Sequence, residues 1–308
     1  MCPETADRVA AVPTACAVCG TVENADELYP SRLPASALDE RLFSARRLPD
    51  RVHFRVVRCR DCGLIRSDPI APPEQLSALY ERSTFDYGDQ VPCIRTTYAR
   101  YLARVEERQD ARAGLLEIGC GNGFMLEEAL ERGWGSVTGV EPSANAIARA
   151  PARVRGAIVK DVMRPGLFEP ESFDAVCLFQ VLDHLPDPLE TLRECHRVLR
   201  PGGHILALNH NAASFSARLL GERSPIFDVE HTFLYSPETI HVLLERAGFT
   251  TPAVETVRNT YSLSYLTHLL PLPAVAKTRL LPRVASSRLG RLTLTVPLGN
   301  LCAVARRA

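Results

Sequence analysis

Apolar positions follow two rhythms along this chain. From residue 111 onward, short apolar runs alternate with longer segments whose apolar residues recur every three or four positions. The runs at 114–118, 136–141, 156–159, 173–179 and 203–209 read as strands. Helices are predicted near 122–132, 143–150, 187–199 and 236–247. That alternation implies a mainly parallel α/β sheet with crossover helices. Gly202-Gly203 after Leu199-Arg200-Pro201 reads as a helix stop and a tight turn. Ser236-Pro237-Glu238 reads as a helix start, with Ser as cap and Pro in the first turn, and Gly248 ends that helix. Further strands are expected at 249–256 and near 297–306, and insertions at 210–235 and 257–296.

The first third is patterned differently. Residues 1–15 lack periodicity and read as a loose tail. A small cysteine-bearing domain is expected over 1–73, with short β-like runs such as His53-Phe54-Arg55-Val56-Val57 and a linker from Pro69 to Pro73. Residues 74–110 read as a helical linker, because Leu76, Leu79 and Tyr80 share one helix face and Tyr98, Tyr101, Leu102 and Val105 another. A larger α/β domain is placed at 111–308.

Composition narrows the partners. Hydrophobic residues make up 46% of the 308, enough for one large core and a small accessory unit. Lys+Arg and Asp+Glu both number 36, so the formal charge is zero, which argues against nucleic acid as the partner. The start MCPETADRVA has no basic region followed by an apolar run. No apolar stretch reaches the roughly 18–20 residues that span a bilayer, and the patch at 269–276 is broken by Pro271 and Pro273. A cytoplasmic protein without a membrane partner is expected, its ten cysteines thiols or metal ligands.

Cys16-x-x-Cys19-Gly20 and Cys59-x-x-Cys62-Gly63 are matched half-sites separated by 39 residues. Each brings two thiolates to one side of a knuckle that glycine lets close, and four thiolates complete a tetrahedral Zn²⁺ shell with no open position. Such a site is structural, although zinc ribbons also bind nucleic acid. Cys2, Cys93, Cys120, Cys177, Cys195 and Cys302 are scattered.

The stretch Leu115-Leu116-Glu117-Ile118-Gly119-Cys120-Gly121-Asn122-Gly123 reads as a strand, a glycine turn and a helix start. A dinucleotide fingerprint needs its third glycine where Phe124 stands, and a P-loop needs Lys-Ser/Thr. Together with VTGVEP (137–142), KDV (160–162), FDAVCLFQVLDHLPDP (173–188) and LRPGGHILAL (199–208), in order and spacing, this stretch resembles the class I S-adenosylmethionine-dependent methyltransferases. The resemblance implies a Rossmann-like seven-stranded sheet whose last two strands pair antiparallel at its edge. It implies that Gly119, Gly121 and Gly123 admit the methionine part of the cofactor and that Glu117 holds the loop or meets its amino group through water. Glu141 would accept from both ribose hydroxyls, Asp161 from the adenine amino group, the Val162 amide would meet a ring nitrogen, and Gln180 would lie beside the sulfonium.

Two places could supply a base for an oxygen or carbon nucleophile. His184 follows the fourth strand, and Glu230-His231 lies in the first insertion. That Glu-His pair, with the paired CxxC knuckles, resembles deoxysugar C-methyltransferases, although Asp228 stands where their aromatic is expected. The zinc-plus-Rossmann arrangement also resembles methyltransferases of polysaccharide and natural-product gene clusters. The expected activity is methyl transfer to a small-molecule acceptor such as a sugar or secondary metabolite, with His231 as base and Glu230 orienting it. The alternatives are an RNA methyltransferase that grips its substrate through the zinc unit, and a non-catalytic cofactor-binding protein. Tyr80, Phe85, Tyr87 and Tyr98 are candidates for the pocket lining, Trp134 for the core, and Arg46-Arg47 and Arg306-Arg307 for solvated surface.

Overall fold

The computed structural model describes residues 11–33, 51–82, 88–109, 111–269, 284, 287 and 289–308. Cys2, Arg46, Arg47, Phe85, Tyr87, Pro271, Pro273 and Lys277 lie outside the described residues. In chain order the elements are β1 (Ala25–Tyr29), β2 (Val56–Cys59), β3 (Ile65–Ser67), α1 (Pro73–Arg82), α2 (Val91–Glu106), β4 (Gly114–Ile118), α3 (Phe124–Glu131), β5 (Ser136–Val140), α4 (Ala144–Ala148), α5 (Ala152–Arg155) and β6 (Ile158–Val159). They continue as β7 (Phe173–Phe179), α6 (Pro188–Val198), β8 (Leu199–His210), α7 (Phe215–Leu220), β9 (Phe233–Leu234), α8 (Pro237–Arg246), β10 (Thr250–Thr256), β11 (Asn259–Ser262), α9 (Leu263–Leu269), β12 (Thr293–Val296) and β13 (Asn300–Arg306).

The largest sheet has seven strands in the order β10-β13-β8-β7-β4-β5-β6. From β8 to β6 neighbours run parallel, whereas β13 is antiparallel to both β8 and β10. Alternate residues of each central strand enter opposite cores. Leu116, Ile118, Val176, Leu178, Ile205 and Ala207 face one, and Leu115, Ala175, Cys177, Phe179, Leu206 and Leu208 face the other. A strand buried on both sides has no polar face, which is why these runs read as continuous apolar sequence.

Side-chain caps set helix starts where the sequence placed them. The Asp187 carboxylate accepts from the Glu190 amide at 3.0 Å, and Ser236 and Thr239 form a reciprocal capping box before Pro237. Strand β8 begins at Leu199, earlier than the tight turn at Gly202-Gly203 suggested, because a register shift between Phe173 and Ala175 lets the strand continue past it. The helix expected over 143–150 is a short α4, and Pro151 separates it from α5.

A second sheet has the order β1-β2-β3-β9, all antiparallel. Its fourth strand comes from the first insertion: Ile65 pairs with Leu234 and Arg66 with Phe233. The cysteine knuckles share the core of the large sheet, with Cys16, Val18, Cys59 and Leu64 packed in the same cluster as Phe233 and Tyr235. Part of the tail is also built in. The Val12 amide donates to the Ile70 carbonyl at 2.8 Å, and the Thr14 amide to Asp68 Oδ1 at 2.9 Å. Trp134 is buried and donates to Glu106 Oε1 at 3.1 Å. Arg307 is no solvated charge: its guanidinium donates to the Arg197 and Leu199 carbonyls and to Glu171 Oε1. No described helix is long and apolar enough to cross a membrane.

Candidate functional site

A cleft of about 1370 Å³ opens at the carboxyl ends of β4, β5 and β7, where the strand order reverses. Ligands of open α/β sheets bind at this edge. Gly119, Gly121, Glu141, Asp161, Val162 and Gln180 line one part of it, and His184, His210, Glu230 and His231 another. Glu117 and Gly123 lie behind the lining. A Cβ on Gly123 would come within 3.2 Å of Val154 and Ile158, so this glycine serves packing of the loop on α5 and β6. A Cβ on Gly119, whose φ is +66°, would sit 2.5 Å from Val181 Cγ2.

Glu141 ties the loop to the sheet, its two oxygens accepting from the Gly121 amide at 2.9 Å and the Ser143 amide at 2.8 Å. Burial still raises its pKa against these donors. Glu117 is fully enclosed, and burial, then the charge of Glu141, raises its pKa well above the usual carboxylate range. Three buried acceptor atoms at the loop have no hydrogen-bond partner: Glu117 Oε2, Asn122 Oδ1 and Gln180 Oε1. Gln180 also holds φ at +57°, a strained value for a residue with a side chain. Asn122 escaped the sequence reading because it stood among the glycines as a spacer. Acceptors left bare in this way suit a ligand that brings several N–H donors on a cation. Cys120 turns away from the cleft, under Gly139. Asp161 accepts from the Val162 amide at 2.8 Å through one oxygen and pairs with Arg164 at 2.9 Å through the other.

The other end of the cleft is a cluster of three imidazoles around Asp183. Tyr80 Oη lies 2.9 Å from His184 Nδ1, and His210 Nδ1 lies 2.7 Å from Asp183 Oδ2. His231 donates from Nδ1 to the Ile226 carbonyl at 2.8 Å, which leaves Nε2 with its lone pair. The His231 ring centroid is 4.8 Å from that of His184 and 4.5 Å from that of His210. Burial, then the neighbouring His210 and His184, lowers His231 to about 3, and burial lowers His184 as well. Burial pushes Asp183 up, but the adjacent imidazoles outweigh it and hold the carboxyl well below its usual range. Near neutral pH the cluster therefore holds an ionised Asp183 beside neutral His184 and His231. Glu230 is buried in the same wall, and its amide donates to Asp228 Oδ1 at 3.2 Å. Sequence reasoning missed Asp183 and His210. His210 ends β8 at the ligand-binding edge, and that position was the available signal.

The second sheet holds this cluster in place. Ser67 donates from Oγ to the His231 carbonyl at 3.0 Å and from its amide to the Thr232 carbonyl at 2.8 Å. The Thr232 and Phe233 amides both donate to the Asp183 carbonyl. At the other end of that sheet the four cysteine sulfurs lie within 4.8 Å of one another, with Cys16 and Cys62, and Cys19 and Cys59, each 3.4 Å apart. The two knuckles have the same backbone: Gly20 donates to the Cys16 carbonyl and Gly63 to that of Cys59, both glycines at φ near +80°. This cluster fits a zinc site.

Tyr98 stacks on Phe179 with ring centroids 4.5 Å apart, beside the cleft.

Ubiquinone biosynthesis O-methyltransferase of Pseudomonas aeruginosa is 34% identical over 125 residues, covering 36% of this chain and 53% of that protein. The protein of the same name from Aliivibrio fischeri is 29% identical over 168 residues, covering 48% and 71%. The chain thus spans about half the length of the first of these curated relatives. A Haloferax volcanii methyltransferase solved with the Trm112 methyltransferase activator matches with a TM-score of 0.50 at 18% identity, over 76% of this chain and 97% of that one, a likeness of fold. Phosphoethanolamine N-methyltransferase 2 of Haemonchus contortus, in complex with S-adenosyl-L-methionine, matches with a TM-score of 0.48 at 18% identity, over 75% and 60%. Residues 92–254, just over half of the 308, match the methyltransferase-domain family. The chain belongs to that family.

Proposed function

We propose that the protein methylates an oxygen or carbon of a small acceptor, a sugar or a secondary metabolite, and that Cys16, Cys19, Cys59 and Cys62 hold a structural zinc ion. The observation that carries this reading is one cleft joining the glycine loop to the histidine cluster. The O-methyltransferase names of the relatives favour oxygen.

The cofactor, when bound, supplies a methyl group on a sulfonium. Gly119 and Gly121 let the backbone approach it. Glu141 keeps its amide bonds to Gly121 and Ser143 and accepts ribose hydroxyls through the remaining lone pairs. Asn122 and Gln180 offer bare oxygens to the ammonium end, with Glu117 behind them. Asp161 and the Val162 amide exchange their mutual hydrogen bond for the adenine edge. His184 and His231, both neutral, receive the acceptor's proton, with Tyr80 fixing the His184 ring and Glu230 beside them. Methyl transfer is an in-line displacement, so holding the acceptor atom against the methyl supplies most of the acceleration.

Calorimetric titration with S-adenosylhomocysteine, with NAD as the control, is the first test. Binding of the former alone supports the assignment of the cleft, and no binding by folded protein overturns it. His231→Ala is expected to keep S-adenosylhomocysteine affinity and lose methyl transfer to hydroxylated acceptors; wild-type turnover in that variant removes His231 from the site.

A further inference from the structure

We propose that Asp183, His210 and His231 form a second metal site, which takes a first-row divalent transition-metal ion on the acceptor side of the cleft. One ligand atom from each of the three lies within 4.8 Å of the others. The residues come from separate elements: the turn after β7, the end of β8 and the insertion before β9. Backbone bonds fix their convergence, since the amides of Thr232 and Phe233 close on the Asp183 carbonyl.

The surroundings suit a cation. Asp183 has no exposed surface, and among the described residues no Lys or Arg pairs with it. Its Oδ1 is buried without a hydrogen-bond partner and lies 3.7 Å from His184 Nε2. A buried carboxylate needs a compensating positive charge. Among the described residues the basic groups that pair with this one are imidazoles, beside the His210 amide, which donates to Oδ2 at 3.5 Å. His231 has the outer arrangement that metal-bound histidines use: Nδ1–H donates to a backbone carbonyl and Nε2 is presented inward. Two imidazoles and a carboxylate are the donors of zinc and non-haem iron chemistry, and three protein ligands leave positions open for a substrate oxygen. His210 and His231 line the cleft, so those positions face the acceptor.

The role of the site rests on the methyl-transfer reading, whereas ion binding itself does not. With the cation present, an acceptor hydroxyl loses its proton at lower pH and is oriented as well. Because the cation takes the Nε2 lone pair of His231, the proton passes to His184 in place of His231. The acceptor oxygen then forms its bond to the methyl carbon as the carbon–sulfur bond breaks, and the electron pair of that bond stays on sulfur, leaving a neutral thioether.

The experiment is a Co²⁺ titration of the full, untagged, zinc-loaded chain, followed by calorimetry and visible absorption, with S-adenosylhomocysteine affinity measured in parallel. One further equivalent is expected to bind without a thiolate-to-cobalt charge-transfer band. Asp183→Asn and His210→Gln should each weaken it by more than the roughly tenfold loss that an outer-shell change produces, while S-adenosylhomocysteine still binds. His241→Ala, on an exposed face of α8, should leave it unchanged. Absence of the second equivalent in the wild-type chain overturns the site. Retention of full Co²⁺ affinity in both variants overturns it as well. Failure of S-adenosylhomocysteine to bind would count against the cofactor assignment alone.

Discussion

Glu117 is fully enclosed, with one oxygen bare and its pKa raised by burial and by Glu141. A carboxyl raised in the folded state binds more protons there than in the unfolded chain. Its contribution to stability is therefore present at acid pH and is lost as pH rises from the ordinary carboxylate pKa through the folded one. A ligand ammonium reverses the preference, because it favours the ionised form. Binding of S-adenosylhomocysteine near neutral pH should then release protons, read as a dependence of the calorimetric heat on buffer ionisation enthalpy, and affinity should fall as pH is lowered. Glu117→Gln should abolish the release; an unchanged release in that variant would place the titrating group elsewhere. Gly119 makes a separate prediction. Its left-handed backbone costs a residue with a Cβ about 1–2 kcal/mol, and the new methyl would also meet Val181. Gly119→Ala should lower both the melting temperature and S-adenosylhomocysteine affinity. Adding Val181→Ala should recover only part, since it relieves the contact and leaves the backbone cost.

Among elements, those buried on two faces or capped by side chains were the legible ones. The strands from Gly114 to Phe179, the glycine loop and the α8 start at Ser236 carry their signals within a few residues of sequence. Strand β9 does not, because two residues have no periodicity and Phe233-Leu234 acquires its state from pairing with Ile65 and Arg66. The histidine cluster was half legible for a similar reason. His184 and the Glu230-His231 pair stand in recognisable motifs, whereas Asp183 and His210 matter through a contact across 27 residues of chain. The tail at Val12 and Thr14 gave no signal, as its bonds to Ile70 and Asp68 use backbone or short polar groups. Strand β3 also carries a test. It connects the cysteine knuckles to His231 through Ser67, while Gly119 and Glu141 directly follow β4 and β5. Cys59→Ser, or metal removal by a chelator, should cost about 100-fold in turnover, the scale of a misplaced reacting group. S-adenosylhomocysteine affinity should change far less. Equal loss of both would mean that the knuckles support the whole fold and have no particular tie to the acceptor wall.

At the scale of the molecule, one sheet edge brings the glycine loop and the histidine cluster together. The topological switch between β4 and β7 places the glycine loop, Gln180 and His184 around one opening. The β8 end and the first insertion add His210 and His231 from the other side. The second insertion contributes its antiparallel pair, β11 with β12, with Thr260 and Tyr261 on the cleft. On the proposed reading, the acceptor is chosen by segments outside the alternating core, and the core holds the cofactor.

The shared strand pairing between β3 and β9 has a consequence for anyone who would graft this acceptor pocket onto another methyltransferase. The 210–235 segment is not a self-contained cassette, because its backbone is completed by residues more than 150 positions upstream. A chimera that transplants this segment alone leaves β9 unpaired and the His231 carbonyl without the Ser67 hydroxyl. Specificity in this architecture is inherited as a pair, knuckle sheet and insertion together.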